Sequence, residues 1–204
     1  MIQKAAIADI PSALAQSGID STTFSTDTVT IRELTGRTIA RLHCFPGTQI
    51  PQLPEIELPR KVGECSGAGP VVLCLRPQEW LLMEDAPGFL ESLTECVMEN
   101  GNAFWSDVSD GLTVFRIEGQ GAPWLLNKLS CLDYQSCHDA GEHCARTRMG
   151  QVAVVVHFHR TPLDSEIFDL IFDRSIARYL WELLCASAAH ANDLVTASSL
   201  SDST

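Results

Sequence analysis

Two segments fix the class of fold this chain can adopt: Gln-Val-Ala-Val-Val-Val-His-Phe-His at 151–159 and Ile-Phe-Asp-Leu-Ile-Phe at 167–172. Both are short and rich in β-branched and aromatic side chains, which suit a pleated surface and not an isolated helix. Shorter runs of the same kind precede them. Val71–Arg76 and Trp80–Met83 read as strands joined by a tight Pro-Gln turn, and His143–Arg148 as a strand turning at Met149-Gly150 into Gln151–His159. Phe104–Val108 and Thr113–Glu118 read as strands separated by Asp110-Gly111, a hairpin signal. Between the strands lie helical patterns. Pro87–Asn100 spaces Phe89, Leu90, Leu93, Val97 and Met98 helically, with Gly101 at the C-terminal cap. Pro123 suits a first helical position ahead of Trp124, Leu125, Lys128 and Leu129. Arg174–Ala189 places Ile176, Ala177, Leu180, Leu183 and Leu184 on one apolar face. Strand pairs alternating with helices that return across them imply an α+β fold, with antiparallel sheets and helices packed on their faces.

The beginning of the chain is less regular. Ser25–Arg32 and Arg37–Phe45 have strand-like composition and the spacing of a pair. Four prolines between Pro46 and Pro59 then interrupt regular structure, because proline removes a backbone donor and fixes φ. Residues 1–70 are therefore expected to form a partly extended, Pro-rich N-terminal segment, 71–190 an α+β domain, and 191–204 a disordered Ser/Thr/Ala-rich tail. Thr48–Pro70 carries Ile50, Leu53, Ile56 and Leu58 without helical or strand periodicity. Such a stretch suits either docking across a partner or an ordinary loop packed on its own domain.

The net charge of −12 argues against nucleic-acid binding, which rests on clustered Lys and Arg, and no nucleic-acid partner is expected. No apolar run approaches a transmembrane length, so no membrane partner is expected. The first residues, Met-Ile-Gln-Lys-Ala-Ala-Ile-Ala-Asp-Ile-Pro, lack the pattern of a signal peptide. Eight cysteines sit in contexts such as Val-Val-Leu-Cys-Leu (71–75), which fits reduced, mostly buried thiols and a cytoplasmic location.

Each cluster of chemistry-bearing residues has a structural reading that competes with a functional one. Cys131, Cys137-His138 and His143-Cys144 lack a Cys-x-x-Cys pair, and His143 and Cys144, adjacent in a strand, point to opposite faces. His157 and His159 share one strand face, a geometry that can bind metal, but only Asp164 and Glu166 follow closely, in a loop. Gly63-Glu-Cys65-Ser-Gly67 imitates a nucleophile elbow without the strand before it or the helix after it. Gly119-Gln-Gly121 has the position of a dinucleotide fingerprint, with Trp124 where a third glycine belongs. Trp80, Trp105, Trp124 and Trp181 have the neighbours of core residues, Trp105 least clearly. Asp107 and Asp110 suit turn architecture. No catalytic, cofactor-binding or metal residue is assigned on these grounds.

Several motifs occur together in one order: Pro77, Glu79, Trp80 and Leu81; Ser-Asp-Val-Ser-Asp at 106–110 opening a strand that ends at Gly119; Cys-Leu-Asp-Tyr at 131–134; Cys144-Ala-Arg-Thr-Arg148; and Tyr179-Leu-Trp181 in the last helix. Over roughly Val71–Leu184 this order resembles the gamma subunit of heterotetrameric sarcosine oxidase, itself related to the folate-binding fold of the glycine-cleavage T-protein. The resemblance implies an accessory chain acting in assembly with alpha, beta and delta subunits. In such a complex the larger subunits hold FAD, FMN, NAD and tetrahydrofolate and the complex oxidises sarcosine to glycine, while the gamma chain is not known to hold these cofactors. An alternative it leaves open is a stand-alone folate-binding or one-carbon transfer protein. The T-protein's paired Asp-Asp is missing from the comparable stretch, Gly150–His157, and the chain has about half that protein's length.

Overall fold

The computed structural model describes residues 11–53, 56–67, 70–84, 88–136, 141–161 and 165–190, without the side chains of 98–100. The expected tail at 191–204 lies outside these residues, as do Pro87, Cys137, His138 and Asp164. The described chain is α+β, built from antiparallel strand pairs with helices on the sheets, as its sequence predicts. It divides into two compact units that interleave along the sequence.

One unit draws on Thr35–Leu112 and Glu142–Ala145. Its five strands are β3 (Thr38–Cys44), β4 (Cys65–Ser66), β5 (Val71–Arg76), β6 (Glu79–Glu84) and β7 (Ala103–Asp107), in the order β4-β5-β6-β3-β7 with every pairing antiparallel. The Pro77-Gln78 turn joins β5 to β6, as expected, with Gln78 at φ 63°. Helix α2 (Phe89–Asn100) lays Phe89, Leu90, Leu93 and Val97 against Ala40, Leu42, Val72, Trp80 and Leu82, and Gly101 ends it in the left-handed conformation (φ 63°). The Pro-rich stretch packs on this same core. Leu53 is buried, Ile50, Ile56 and Leu58 lie against it, and the Trp80 indole N–H donates to the Pro59 carbonyl at 2.7 Å. These side chains pack on their own unit, which favours the packed-loop reading over a docking one for the described residues of this stretch.

The other unit draws on Ser12–Leu34, Thr113–Gly141 and the chain from Arg146 onward. Strands β1 (Thr23–Ser25), β2 (Thr30–Leu34), β8 (Leu112–Glu118), β9 (His143–Met149), β10 (Val152–Arg160) and β11 (Glu166–Asp173) form a sheet in the order β1-β2-β8-β11-β10-β9. Alternation decides which face is covered. Ile31, Phe115, Ile117, Val154, Val156, Phe158, Phe168, Leu170 and Phe172 meet α3 (Ala122–Leu129) and α4 (Ala177–Ala189) through Leu125, Leu126, Leu180, Trp181 and Leu184. The short helix α1 (Ala13–Gln16) is anchored by buried Glu33, which accepts hydrogen bonds from the Ala13 amide (2.7 Å), the Thr113 hydroxyl (3.1 Å) and the Ser12 hydroxyl.

Two expected pairings are corrected. Ser25–Arg32 and Arg37–Phe45 contain strands that join different sheets: β2 pairs with β8, and β3 with β6 and β7. Likewise β7 and β8 do not form a hairpin, and Gly111 does not take a positive φ. The amides of Gly111 and Leu112 both donate to the Val108 carbonyl at 3.1 Å, giving a tight turn between strands of different sheets. Asp107 has the architectural role expected of it. Its carboxylate accepts from the Ser109 amide (3.1 Å) and hydroxyl (2.6 Å), and the Ser109 hydroxyl oxygen accepts from the Ile39 amide at 2.9 Å.

Candidate functional site

On β10 the alternation that buries Val156 and Phe158 against the helices sends His157 and His159 to the opposite face. Strand β11 pairs with β10 antiparallel, with Asp169 directly opposite His157. Strand β8, next to β11 in the sheet, supplies Arg116. The four side chains form a network across three strands. Arg116 Nε and Nη2 donate to the two oxygens of Asp169, each at 2.7 Å, and His159 Nε2 lies 3.1 Å from Asp169 Oδ2. The His157 and His159 rings stack with centroids 4.7 Å apart. Asp169 is 4% exposed and His157 2%, while Arg116 and His159 keep partial access to solvent.

Electrostatics set its protonation. Burial opposes ionisation of Asp169, but hydrogen bonds and charge from Arg116, with the bond to His159, outweigh that and hold its carboxyl well below the usual carboxylate range. A bidentate guanidinium–carboxylate pair in a buried setting is a strong, geometrically specific contact. It ties β8 to β11 at one register, and His159 extends it to β10.

Sequence reasoning placed two imidazoles here but found no third group. Asp169 was missed because it lies ten residues beyond His159, on another strand. The signal that would have found it is a charge inside an apolar strand, Ile-Phe-Asp-Leu-Ile-Phe, matched by Arg116 inside Val-Phe-Arg-Ile. Buried charges need partners, so each predicts the other. The ligand atoms of His157, His159 and Asp169 lie within 4.8 Å of one another, the donor group that converges among the described residues. Both Asp169 oxygens already hold Arg116, so a cation would have to compete with a guanidinium at the same carboxylate. Nor is a hydroxyl or thiol hydrogen-bonded to His159 among the described residues; its bond is to Asp169. That leaves an imidazole oriented by a carboxylate but joined to no nucleophile. We expect the purified chain to carry no stoichiometric metal. Elemental analysis finding about one zinc per chain would contradict this, and His157, His159 and Asp169 would be its first candidate ligands.

The other candidates form no metal-binding group among the described residues. Cys131 is exposed, with Sγ 4.0 Å from Thr147 Oγ1, whereas Cys144 is buried and its thiol faces the Cys74 carbonyl at 3.7 Å. Cys65 stands in β4, which leads into β5 and not into a helix, so the elbow context is absent. Trp80 is fully buried, Trp181 nearly so, and Trp105 and Trp124 are half-buried against the two cores. Beside Trp105, Phe104 is 46% exposed and stacks on His43 with centroids 5.0 Å apart. Gly119 and Gly121 serve a chain crossing. A Cβ on Gly119 (φ 108°) would stand 2.3 Å from the Thr28 carbonyl oxygen, and one on Gly121 would stand 2.8 Å from the Thr28 and Val29 side chains. Gly121 N–H donates to the Thr28 carbonyl at 3.0 Å. The close approach accounts for both glycines without a cofactor. Gly119→Ala is accordingly expected to lower stability by about 1–3 kcal/mol, read as a shifted urea midpoint; an unchanged midpoint would mean that the crossing relaxes freely.

No family model matches the chain, and no curated protein matches it. Among solved structures it is similar to a chain of the heterotetrameric sarcosine oxidase from Corynebacterium sp. U-96, solved in complex with pyrrole 2-carboxylate. The TM-score is 0.73 at 21% identity, and the alignment covers 89% of this chain and 95% of that one. The likeness establishes a shared fold.

Proposed function

We propose that this chain is the gamma-type accessory subunit of a heterotetrameric, flavin-dependent sarcosine oxidase. It acts in assembly with alpha, beta and delta partners and holds no cofactor of its own. The observation that carries the reading is the near-complete mutual coverage of the two chains. A match spanning almost all of both means that the similar chain is close to this one in length, which fits a small subunit better than a large flavin-bearing one. The ordered motifs from Pro77 to Trp181 support the same reading independently of the fold. So does the buried polar network in which Asp169 pairs bidentately with Arg116 and bonds His159, an arrangement suited to holding strands together. On this reading FAD, FMN, NAD and tetrahydrofolate belong to the partner subunits, and the complex is cytoplasmic.

The isolated chain is then expected to show no sarcosine-dependent oxygen uptake. Tetrahydrofolate is expected to leave its tryptophan fluorescence unchanged at concentrations up to about 1 mM, a weak-binding limit. Saturable binding in the micromolar range would instead favour a stand-alone folate-binding or one-carbon transfer protein.

A further inference from the structure

A different pair of side chains carries chemistry that subunit assembly does not use. Residues Gly63–Ser66 run antiparallel to the start of β9: Glu64 bridges His143, and the Cys144 amide donates to the Gly63 carbonyl at 2.8 Å. In that register Gly63 lies opposite Cys144 and Cys65 opposite Glu142, so Cys65 and Cys144 leave the same face as diagonal neighbours. Gly63, the residue facing Cys144, has no side chain to stand between them. The Cys144 sulfur lies 3.9 Å from the Glu64 carbonyl oxygen and the Cys65 sulfur 3.9 Å from that of Gly63, and each thiol is the largest influence on the other's ionisation. Cys144 is buried, and Cys65 is partly exposed and open to solvent. Cys74 is set apart by its own bond, its thiol donating to the Arg76 carbonyl at 3.5 Å.

We propose that Cys65 and Cys144 are a redox-active pair that closes to an intramolecular disulfide when a hydroperoxide oxidises it. The neighbouring Cys65 thiol favours the thiolate of Cys144, lowering its pKa against the opposing effect of burial, while Cys144 raises that of Cys65. The Cys144 thiolate attacks the peroxide O–O bond, leaving a sulfenic acid on Cys144 and an alkoxide or hydroxide that takes up a proton. The Cys65 sulfur then displaces the sulfenic hydroxyl, which departs as water, and the S–S bond forms. Two thiols give up two electrons and two protons, and the hydroperoxide is reduced to an alcohol, or to water, plus one water. The link fastens the segment around β4 to the first residues of β9 and constrains the unfolded chain between them.

The test uses the full reduced chain, treated with an equimolar amount of hydrogen peroxide, alkylated and digested with trypsin. Trypsin spares the Arg76–Pro77 bond, so Cys65 falls in the peptide 62–116 with Cys74 and Cys96, and Cys144 in 129–146 with Cys131 and Cys137. The expected result is a linked pair of these peptides, lighter than their sum by two hydrogens and separated again by dithiothreitol. The link should vanish in both Cys65→Ser and Cys144→Ser and persist in Cys74→Ser, Cys96→Ser, Cys131→Ser and Cys137→Ser. Cys65→Ser, at a partly exposed position, carries the test if Cys144→Ser fails to fold. A link that survives Cys65→Ser would overturn the proposal. So would peroxide consumed by the wild-type chain without any such link.

Discussion

Replacing Arg116 with methionine is expected to destabilise the protein by about 3–5 kcal/mol, because it leaves the Asp169 carboxylate buried without its counter-charge. In a chain of this size that corresponds to a fall in Tm of about 6–20 °C. The companion measurement is the double variant Arg116→Met/Asp169→Leu, which removes both charges and should recover most of the loss. If Arg116→Met alone leaves the urea midpoint at pH 7 unchanged, the bidentate contact is not the buried pair described above. Acid titration adds a second, independent readout. Asp169 has a folded-state pKa depressed below its unfolded value. Its stabilising contribution is therefore fully present above the unfolded carboxylate value of about 3.9 and is lost as pH falls through the folded value. The stability gap between wild type and Asp169→Asn should be widest near neutrality, begin to narrow below about pH 4 and close only as pH falls toward the folded value.

The second large effect belongs to the core of the same unit. Phe115→Ala should cost about 3–5 kcal/mol. Phe115 is fully buried, and its ring meets Phe172 and Trp181 edge-on, with centroids 4.8 Å and 5.5 Å away. Truncation removes both aromatic contacts and leaves a void between the sheet and α4. Trp181 reports the change directly: its emission should shift toward the red, and the near-ultraviolet circular dichroism should weaken. Trp80→Phe is the useful contrast in the other unit. It keeps an aromatic ring in the core but deletes the hydrogen bond to the Pro59 carbonyl, for a smaller loss of about 1–2 kcal/mol.

Elements with strong periodicity were legible in the sequence, and their partners were not. The apolar face of α4, the cap at Gly101 and the alternation of β10 follow from spacing alone, since each is written within a dozen or so residues. Pairing is a long-range property. Two nearby strand-like runs joined by Thr35-Gly36 look like a hairpin. Yet β2 pairs with β8, about eighty residues on, where Glu33 and Thr113 bond each other and serve the start of α1. Asp110-Gly111 misled for a related reason. A Val108 carbonyl that accepts two amides, and a Ser109 hydroxyl fixed to Ile39, close the turn without positive φ at the glycine. The polar network was half legible. Two histidines on one strand face announce themselves, whereas Arg116 and Asp169 become partners only once β8 and β11 are neighbours. The Cys65–Cys144 pair is illegible without the bridge between Glu64 and His143.

The assignment to an oxidase complex is tested most directly by affinity capture of the tagged full-length chain from its own cells at physiological salt, followed by the visible absorption spectrum and subunit composition of the eluate. The account predicts a yellow eluate with flavin bands, in which the chain accompanies larger subunits and sarcosine bleaches the flavin. A colourless eluate containing this chain alone would contradict it.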